Sequence, residues 1–241
     1  MRASSLAVSV AATILTLLPA SLSQAGDNNT VYIKQESPAG SLNGNSLTID
    51  QSDATNSLLV GPSVSSLAGL LNVSLPSSLQ GGQNPASQRG EGNEAKITMT
   101  GDGGALMLVQ DTSPFQDTSP FQAMQPAGSG TGNTATAVLN GASLGAVIQL
   151  GTANTANLQL EQANGLITQL GSNLRADLAV TGPDSRGQIV QIGSRNTADV
   201  EVQGSGTNVT YTQIGNDLTS SQTMEVFSTN SGNISITQTG F

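Results

Sequence analysis

The chain of 241 residues contains no cysteine, no histidine and no tryptophan. Without cysteine it has no disulfide framework to offset a thin core, and without histidine most hydrolytic and metal chemistries lose their usual residues. Aromatic residues make up 2% of the sequence, too few to fill the core of an ordinary two-layer globular domain. Positive charge is scarce too. Seven Lys and Arg stand against 16 Asp and Glu, and the net charge of −9 argues against nucleic acid or an anionic lipid surface as a partner. No residue is read as catalytic, and no set of side chains asks for a cofactor or a metal. What is plentiful is Gly, Ser, Asn, Thr and Gln, a composition suited to regular ladders.

Those residues are ordered. The segment Gln191-Ile192-Gly193-Ser194-Arg195-Asn196-Thr197-Ala198 sets a frame, Gln-x-Gly-x-x-Asn-x-Ala, that Gln149 to Ala156 and Gln88 to Ala95 match in full. Gln169-x-Gly171 and Gln213-x-Gly215 match it in part, with Leu174 and Leu218 in place of Asn, and Gln238-x-Gly240 starts another copy. From Gln149 the glutamines fall 20, 22, 22 and 25 residues apart. A period of that size indicates a stacked array of one small unit.

Within each unit, apolar or small residues alternate with polar ones, which is strand periodicity. Ser185, Gly187, Ile189 and Gln191 share one face of a first strand; Asn196, Ala198, Val200 and Val202 share one face of a second, joined across Gly193-Ser194-Arg195. Extending this parity predicts strands at 29–35, 45–51, 56–60, 82–88, 93–99, 104–110, 133–139, 143–149, 154–160, 163–169, 174–180, 185–191, 196–202, 207–213, 218–224 and 232–238. No charged residue falls on the predicted inner face, whereas Lys34, Asp50, Arg89, Glu94, Lys96, Arg175, Asp177, Arg186, Asp199 and Glu201 fall on the outer one. An unpaired buried charge is very costly, so this sorting marks the interior. The interior nevertheless holds amides, and buried amides need partners. Parallel in-register strands about 4.8 Å apart let each Gln bond its equivalents above and below, leaving only the end members open. The expected ladder residues are Gln88, Asn93, Gln149, Asn154, Gln169, Gln191, Asn196, Gln213 and Gln238, with Ala156 and Ala198 beside the asparagines.

The frame Ser-x5-Gln-x-Gly-x2-Asn-x-Ala-x3-Gln resembles the curlin repeat, the unit of the secreted bacterial amyloid fibres called curli. The resemblance covers residues 143–241 most closely, 82–99 clearly, and 26–60 through Gly26-x-x-Asn29-x-Val31-x3-Gln35 and Asn45-x-Leu47-x-Ile49-x-Gln51. The sequence departs at the second glutamine of the frame, which is Leu160, Val180, Val202 and Met224 here, while Gln35 keeps it. The resemblance implies an all-β fold, a β-solenoid of stacked strand-turn-strand repeats forming two facing parallel sheets. It also implies a secreted structural subunit of a curli-like amyloid fibre on the bacterial surface, of the major or the minor, nucleating type. Such a subunit assembles end to end and serves cell adhesion and biofilm matrix. Its implied partners are other copies of itself, a related curlin-type subunit, and an outer-membrane secretion channel with its chaperones.

Along the chain, residues 1–25 read as a signal peptide: Arg2, the apolar stretch Ala7–Leu18, then Ser23-Gln24-Ala25. Removing them takes away one positive charge, Arg2, and moves the net charge from −9 to −10. Residues 26–60 read as degenerate N-terminal repeats, with Asp53 in a turn where the frame wants Gly. Residues 61–81 break the frame and read as an insertion, with Leu67–Leu75 as a short helix or an unmatched strand. Residues 82–110 read as one further repeat. Gly101-Asp102-Gly103-Gly104 is a single glycine-aspartate turn, since the calcium-binding version works only as a stacked repeat. Residues 111–127 carry DTSPFQ twice in tandem, and their prolines predict a loop outside the ladder; Phe115 and Phe121 are either display anchors or a neutral duplication. Residues 128–241 are the regular repeats.

Three alternatives compete with the fibre subunit. One is a monomeric secreted β-solenoid with blocked edges that binds a surface. Another is a β-helix enzyme acting on polysaccharide through Asp177 and Asp199, which the periodicity places one above the other; the pair lacks aromatic neighbours for a sugar and sits beside Arg175. The third is an outer-membrane barrel, which requires apolar outward positions where this chain has Arg175, Asp177, Asp199 and Glu201. No membrane insertion is expected.

Overall fold

The computed structural model describes residues 27–37, 43–61, 84–112, 131–220, 224–226 and 232–240. The signal peptide, most of the 61–81 insertion with Leu67–Leu75, and the tandem DTSPFQ with Phe115 and Phe121 lie outside the described residues.

Among the described residues the fold is all β, with no helix, in two parallel sheets of stacked strands. The first sheet has eight rungs. They are β1 (Thr30–Val31) with β2 (Ile33–Glu36), β4 (Leu58–Val60) with β5 (Ala86–Arg89), β7 (Ala105–Asp111), β9 (Leu144–Thr152), β11 (Asn164–Ser172), β13 (Arg186–Ser194), β15 (Thr207–Asn216) and β17 (Gly232–Gly240). The second sheet stacks β3 (Ser46–Thr55), β6 (Glu94–Asp102), β8 (Thr134–Asn140), β10 (Thr155–Glu161) and β12 (Arg175–Ala176). Single parallel bridges Arg175–Thr197 and Thr197–Thr219 carry it onward, beside the pair β14 (Val200–Val202) and β16 (Met224–Val226). The chain alternates between the sheets, so each rung of one is followed by a rung of the other.

Registers follow the repeat frame residue for residue. Gln149, Gln169, Gln191, Gln213 and Gln238 lie in one column, and Gly151, Gly171, Gly193, Gly215 and Gly240 in another. The glycine column is a packing requirement. A Cβ on Gly171 would stand 1.8 Å from the carbonyl oxygen of Gly193, and one on Gly193 would stand 1.8 Å from that of Gly215. These glycines sit inside the strands, not in the turn predicted across Gly193-Ser194-Arg195. The chain reverses two residues later, at Ala153, Asn173, Arg195 and Asp217, all left-handed with φ of 55–58°.

Between the sheets lies a dry core of Ala, Leu, Ile and Val, with Tyr211 its largest member. The sheets fit by size. Gly145, Gly165 and Gly187 leave the room that Leu158, Leu160 and Leu178 fill, and a Cβ on any of the three would meet a leucine methyl at 2.6–2.7 Å. Apolar residues therefore stand where the repeat frame has its second glutamine, and the glycines of the facing sheet make room for them.

The structure corrects several strand expectations, most of them in the first third of the chain. Predicted strands 56–60 and 82–88 are two halves of one rung: β4 pairs with the first part of β7 and β5 with the last part. The insertion thus opens inside a strand. Its neck is closed by an antiparallel bridge, Gly61 N–H to Asn84 O at 2.7 Å. The face of 56–60 is also shifted by one residue. Asn56 takes a left-handed turn conformation, so Ser57 and Leu59 point inward. Asp53 lies not in a turn but within β3, where one extra residue bulges between Asp50 and Asp53. Finally, 174–180 is strand only at Arg175–Ala176, because Ala179, Val180 and Thr181 adopt positive φ; Leu178 and Val180 still point into the core.

The outward charges named above are all exposed or half-buried. The outer side of the first sheet, however, also carries an apolar column that the parity argument did not anticipate. Val60, Met107, Ala146 and Leu166 lie in register and are at most 5% exposed.

Candidate functional site: the amide columns and the two end rungs

The first-sheet glutamines form one continuous chain of hydrogen bonds. Each Nε2 donates to Oε1 on the next rung: Gln35 to Gln88 at 2.5 Å, Gln88 to Gln110 at 2.7 Å, and Gln110 to Gln149 at 2.8 Å. The run continues through Gln169, Gln191, Gln213 and Gln238 at 2.8–2.9 Å. From Gln88 to Gln213 all six side chains are at most 1% exposed. Each of the six gives its second amide hydrogen to a carbonyl of the facing sheet, at Ser46, Glu94, Thr134, Thr155, Arg175 and Thr197 in turn, 2.8–3.0 Å away. That second bond fixes the orientation. Turning any of these amides over would set its oxygen against a carbonyl oxygen.

Two members of this column were not among the expected ladder residues. Gln110 ends a strand after which the frame breaks off, so the frame alone does not reach it, although strand parity places it inside. The frame gives Gln35 the place of the second glutamine; it belongs to the first column, stacked on Gln88. The second-glutamine place is held by Gln51 alone. Its Nε2 donates to Ser57 Oγ at 2.7 Å and lies 3.3 Å from Met99 Sδ. Later rungs carry Met99, Leu139, Leu160, Val180 and Val202 in that position.

The asparagines work differently from the expected side-chain ladder. Asn45 and Asn93 bond each other at 3.0 Å. Further along, each Oδ1 accepts the backbone N–H at the same position of the next rung: Asn93 from Asn133, Asn133 from Asn154, Asn154 from Leu174, Asn196 from Leu218, at 2.9–3.2 Å. Asn154 and Asn196 also donate Nδ2 to the carbonyls of Gly171 and Gly215, at 3.0 and 2.9 Å. An Asn here needs only the backbone of the rung above it, so Leu174 and Leu218 leave the asparagine below them satisfied, but they offer no Oδ1 to the N–H of the rung that follows. Ala156 and Ala198 lie inward beside them, fully buried.

The two end rungs are less covered than the middle. At one end Gln35 is exposed and Val31 and Ile33 are half-buried; at the other Gln238 and Ile236 are half-buried and Ile234 is 37% exposed. Gln238 Oε1 accepts from Gln213 and from the Tyr211 hydroxyl at 2.9 Å.

Some surface charges are paired with a neighbour. Arg195 grips Asp217 on the next rung with two bonds of 2.5 and 2.7 Å, and this holds the Asp217 carboxyl below its ordinary pKa. Hydrogen bonds from Asn56 and Thr55 do the same for Asp102. Arg175 lies 3.3 Å from Asp177, so that aspartate has a cation beside it. Among the described residues there is no group of three or more His, Cys, Asp or Glu arranged to hold a metal. The chain matches no protein-family model, no curated protein and no solved structure.

Proposed function

We propose that this protein is a secreted structural subunit of a curli-like amyloid fibre, a β-solenoid of curlin-like repeats that stacks end to end and serves adhesion and biofilm matrix at the bacterial surface. The observation that carries the reading is the glutamine column: buried and saturated through six rungs, it reaches both end rungs, and among the described residues no charged or bulky side chain stands in it. A column of this kind is the dry, hydrogen-bonded interior of a cross-β stack, and an edge that presents the same groups templates further strands. A solenoid that stays monomeric is usually closed by polar caps. Here the end rungs present Val31, Ile33, Ile234 and Ile236 beside the amides.

The test is fibre diffraction on residues 26–241 diluted from denaturant at neutral pH, with thioflavin fluorescence followed alongside. Fibres with a meridional spacing of about 4.7 Å that seed fresh monomer are expected. A soluble, monodisperse, strand-rich monomer that ignores seeds sinks the proposal and leaves a surface-binding monomer as the reading.

A further inference from the structure

We infer that copies of this chain join head to tail only, with the β17 edge of one copy meeting the β1–β2 edge of the next and Gln238 Nε2 donating to Gln35 Oε1. The inference rests on the stacking subunit proposed above and adds the polarity of the contact and the atoms that meet.

It follows from the direction of the amide column. All seven glutamine bonds run the same way, donor toward β17 and acceptor toward β1–β2. The direction is not free to reverse in the middle, because six members are tied by their second hydrogen to carbonyls of the facing sheet. At the β17 end the amide group left over is therefore a donor, Gln238 Nε2; at the other it is an acceptor, Gln35 Oε1. A contact between two β17 edges would put donor against donor, and one between two β1–β2 edges would put acceptor against acceptor. Only unlike ends complete the column. The backbone agrees, since every rung pairing within the two sheets is parallel and like ends would have to meet antiparallel. A contact between unlike surfaces does not close on itself, so it generates an open filament.

The outer face supplies the test. Lys34 and Thr237 belong to one outward column, both exposed, at opposite ends of the first sheet. In a head-to-tail contact they become neighbours about 4.8 Å apart at Cα, within disulfide range, and the native chain has no cysteine to interfere. Variants Lys34→Cys, Thr237→Cys and the double variant are assembled under reductant, checked for the 4.7 Å spacing, then oxidised. Head-to-tail contact predicts no cross-link in either single variant, dimers when the two are mixed, and a series of covalent multimers from the double variant. The pair Glu36→Cys and Thr239→Cys, one outward column over, repeats the test should the first pair disturb assembly. Dimers in a single variant, or fibres of both double variants that never cross-link, overturn the polarity while leaving the stacking subunit standing. Native protein that stays monomeric overturns the stacking itself, and the polarity with it.

Discussion

The two places where the repeat frame puts a glutamine are filled in opposite ways in this chain. In the first sheet the column is occupied on all eight rungs, and its six middle members are saturated. In the second sheet only Gln51 remains, and from Met99 onward the position is apolar. Both columns are buried and both pack well. The contrast teaches that members of a buried amide column support one another. A member with like neighbours above and below makes its bonds at no net cost, whereas an isolated one must find improvised partners, as Gln51 does in Ser57. Replacing the whole second column by Leu and Val removes that demand, and the glycines opposite make room for the added volume.

The contrast can be broken most severely by charge. Replacing Gln149 and Gln213 together by Glu places two unpaired carboxylates in the column, each costing about 3–5 kcal/mol. We expect no fibre growth at neutral pH, measured by seeded thioflavin kinetics; unchanged kinetics refute the ladder. A carboxyl buried without a cation has its folded-state pKa raised. Stability is then complete below the unfolded value of about 4.3 and is lost as pH rises through the folded one, so growth returns in acid.

Next in size is a gap. Gln169→Leu strands the Nε2 of Gln149, the Oε1 of Gln191 and the Thr155 carbonyl, and is expected to lower stability by about 2–4 kcal/mol in denaturant unfolding. The reverse change, Leu160→Gln, puts a lone amide into the apolar column between Leu139 and Val180, at a cost of about 1–3 kcal/mol. Adding Leu139→Gln gives the first amide a neighbour, so the double variant loses less than the sum of the two singles. Strict additivity would show that stacked amides do not support one another here.

The smallest effect belongs to vertical pairs on the surface. Arg195→Ala releases Asp217, whose carboxyl pKa, followed by NMR titration, rises back toward its ordinary value. Because the folded pKa of Asp217 is depressed, the stability it contributes is present above the unfolded value of about 3.9 and disappears as pH falls through the folded one. The midpoint of denaturant unfolding at neutral pH is expected to stay nearly unchanged, since exposed ion pairs contribute little.

Much of the fold was legible because it is repetitive. From Gln149 onward the spacing of Gln, Gly and Asn marks face and register, and the first-sheet residues pair as the frame aligns them, but the second-sheet segments 174–180 and 196–202 are strand only in part. What could not be read came from places where one copy differs from the rest. At Asn56 a single left-handed residue shifted the inward face by one. The bulge at Asp53 sets two outward residues, Ser52 and Asp53, between the inward Gln51 and Ala54, and the unbroken polar run Asp50 to Asp53 gives no sign of it in the sequence. The apolar column of Val60, Met107, Ala146 and Leu166 was hidden because a strand covered on both faces reads as an unbroken run, as in Ala105-Leu106-Met107-Leu108-Val109, and parity then assigns only one side. Gln35 was misassigned because a glutamine six residues after Asn29 fits either column; only its neighbour, Gln88, tells which. The asparagine row misled for a chemical reason. Its bonds go to backbone, and no pattern of side chains reveals that.

The neck at Gly61 and Asn84 has a practical meaning of its own. A strand has been cut in two, 22 residues have been set between the halves, and the rung still closes in register on both sides. Such a site is a port: the host asks of a guest sequence only that its ends meet where Gly61 and Asn84 meet, and Gly61 has no room even for a methyl group, with the Pro85 carbonyl 2.0 Å from its missing Cβ. In a stack of eight-rung copies, whatever is carried there recurs once every ~38 Å along one side. In the filament proposed above, the spacing of these ports would be set by the host repeat alone, whatever the length of the guest.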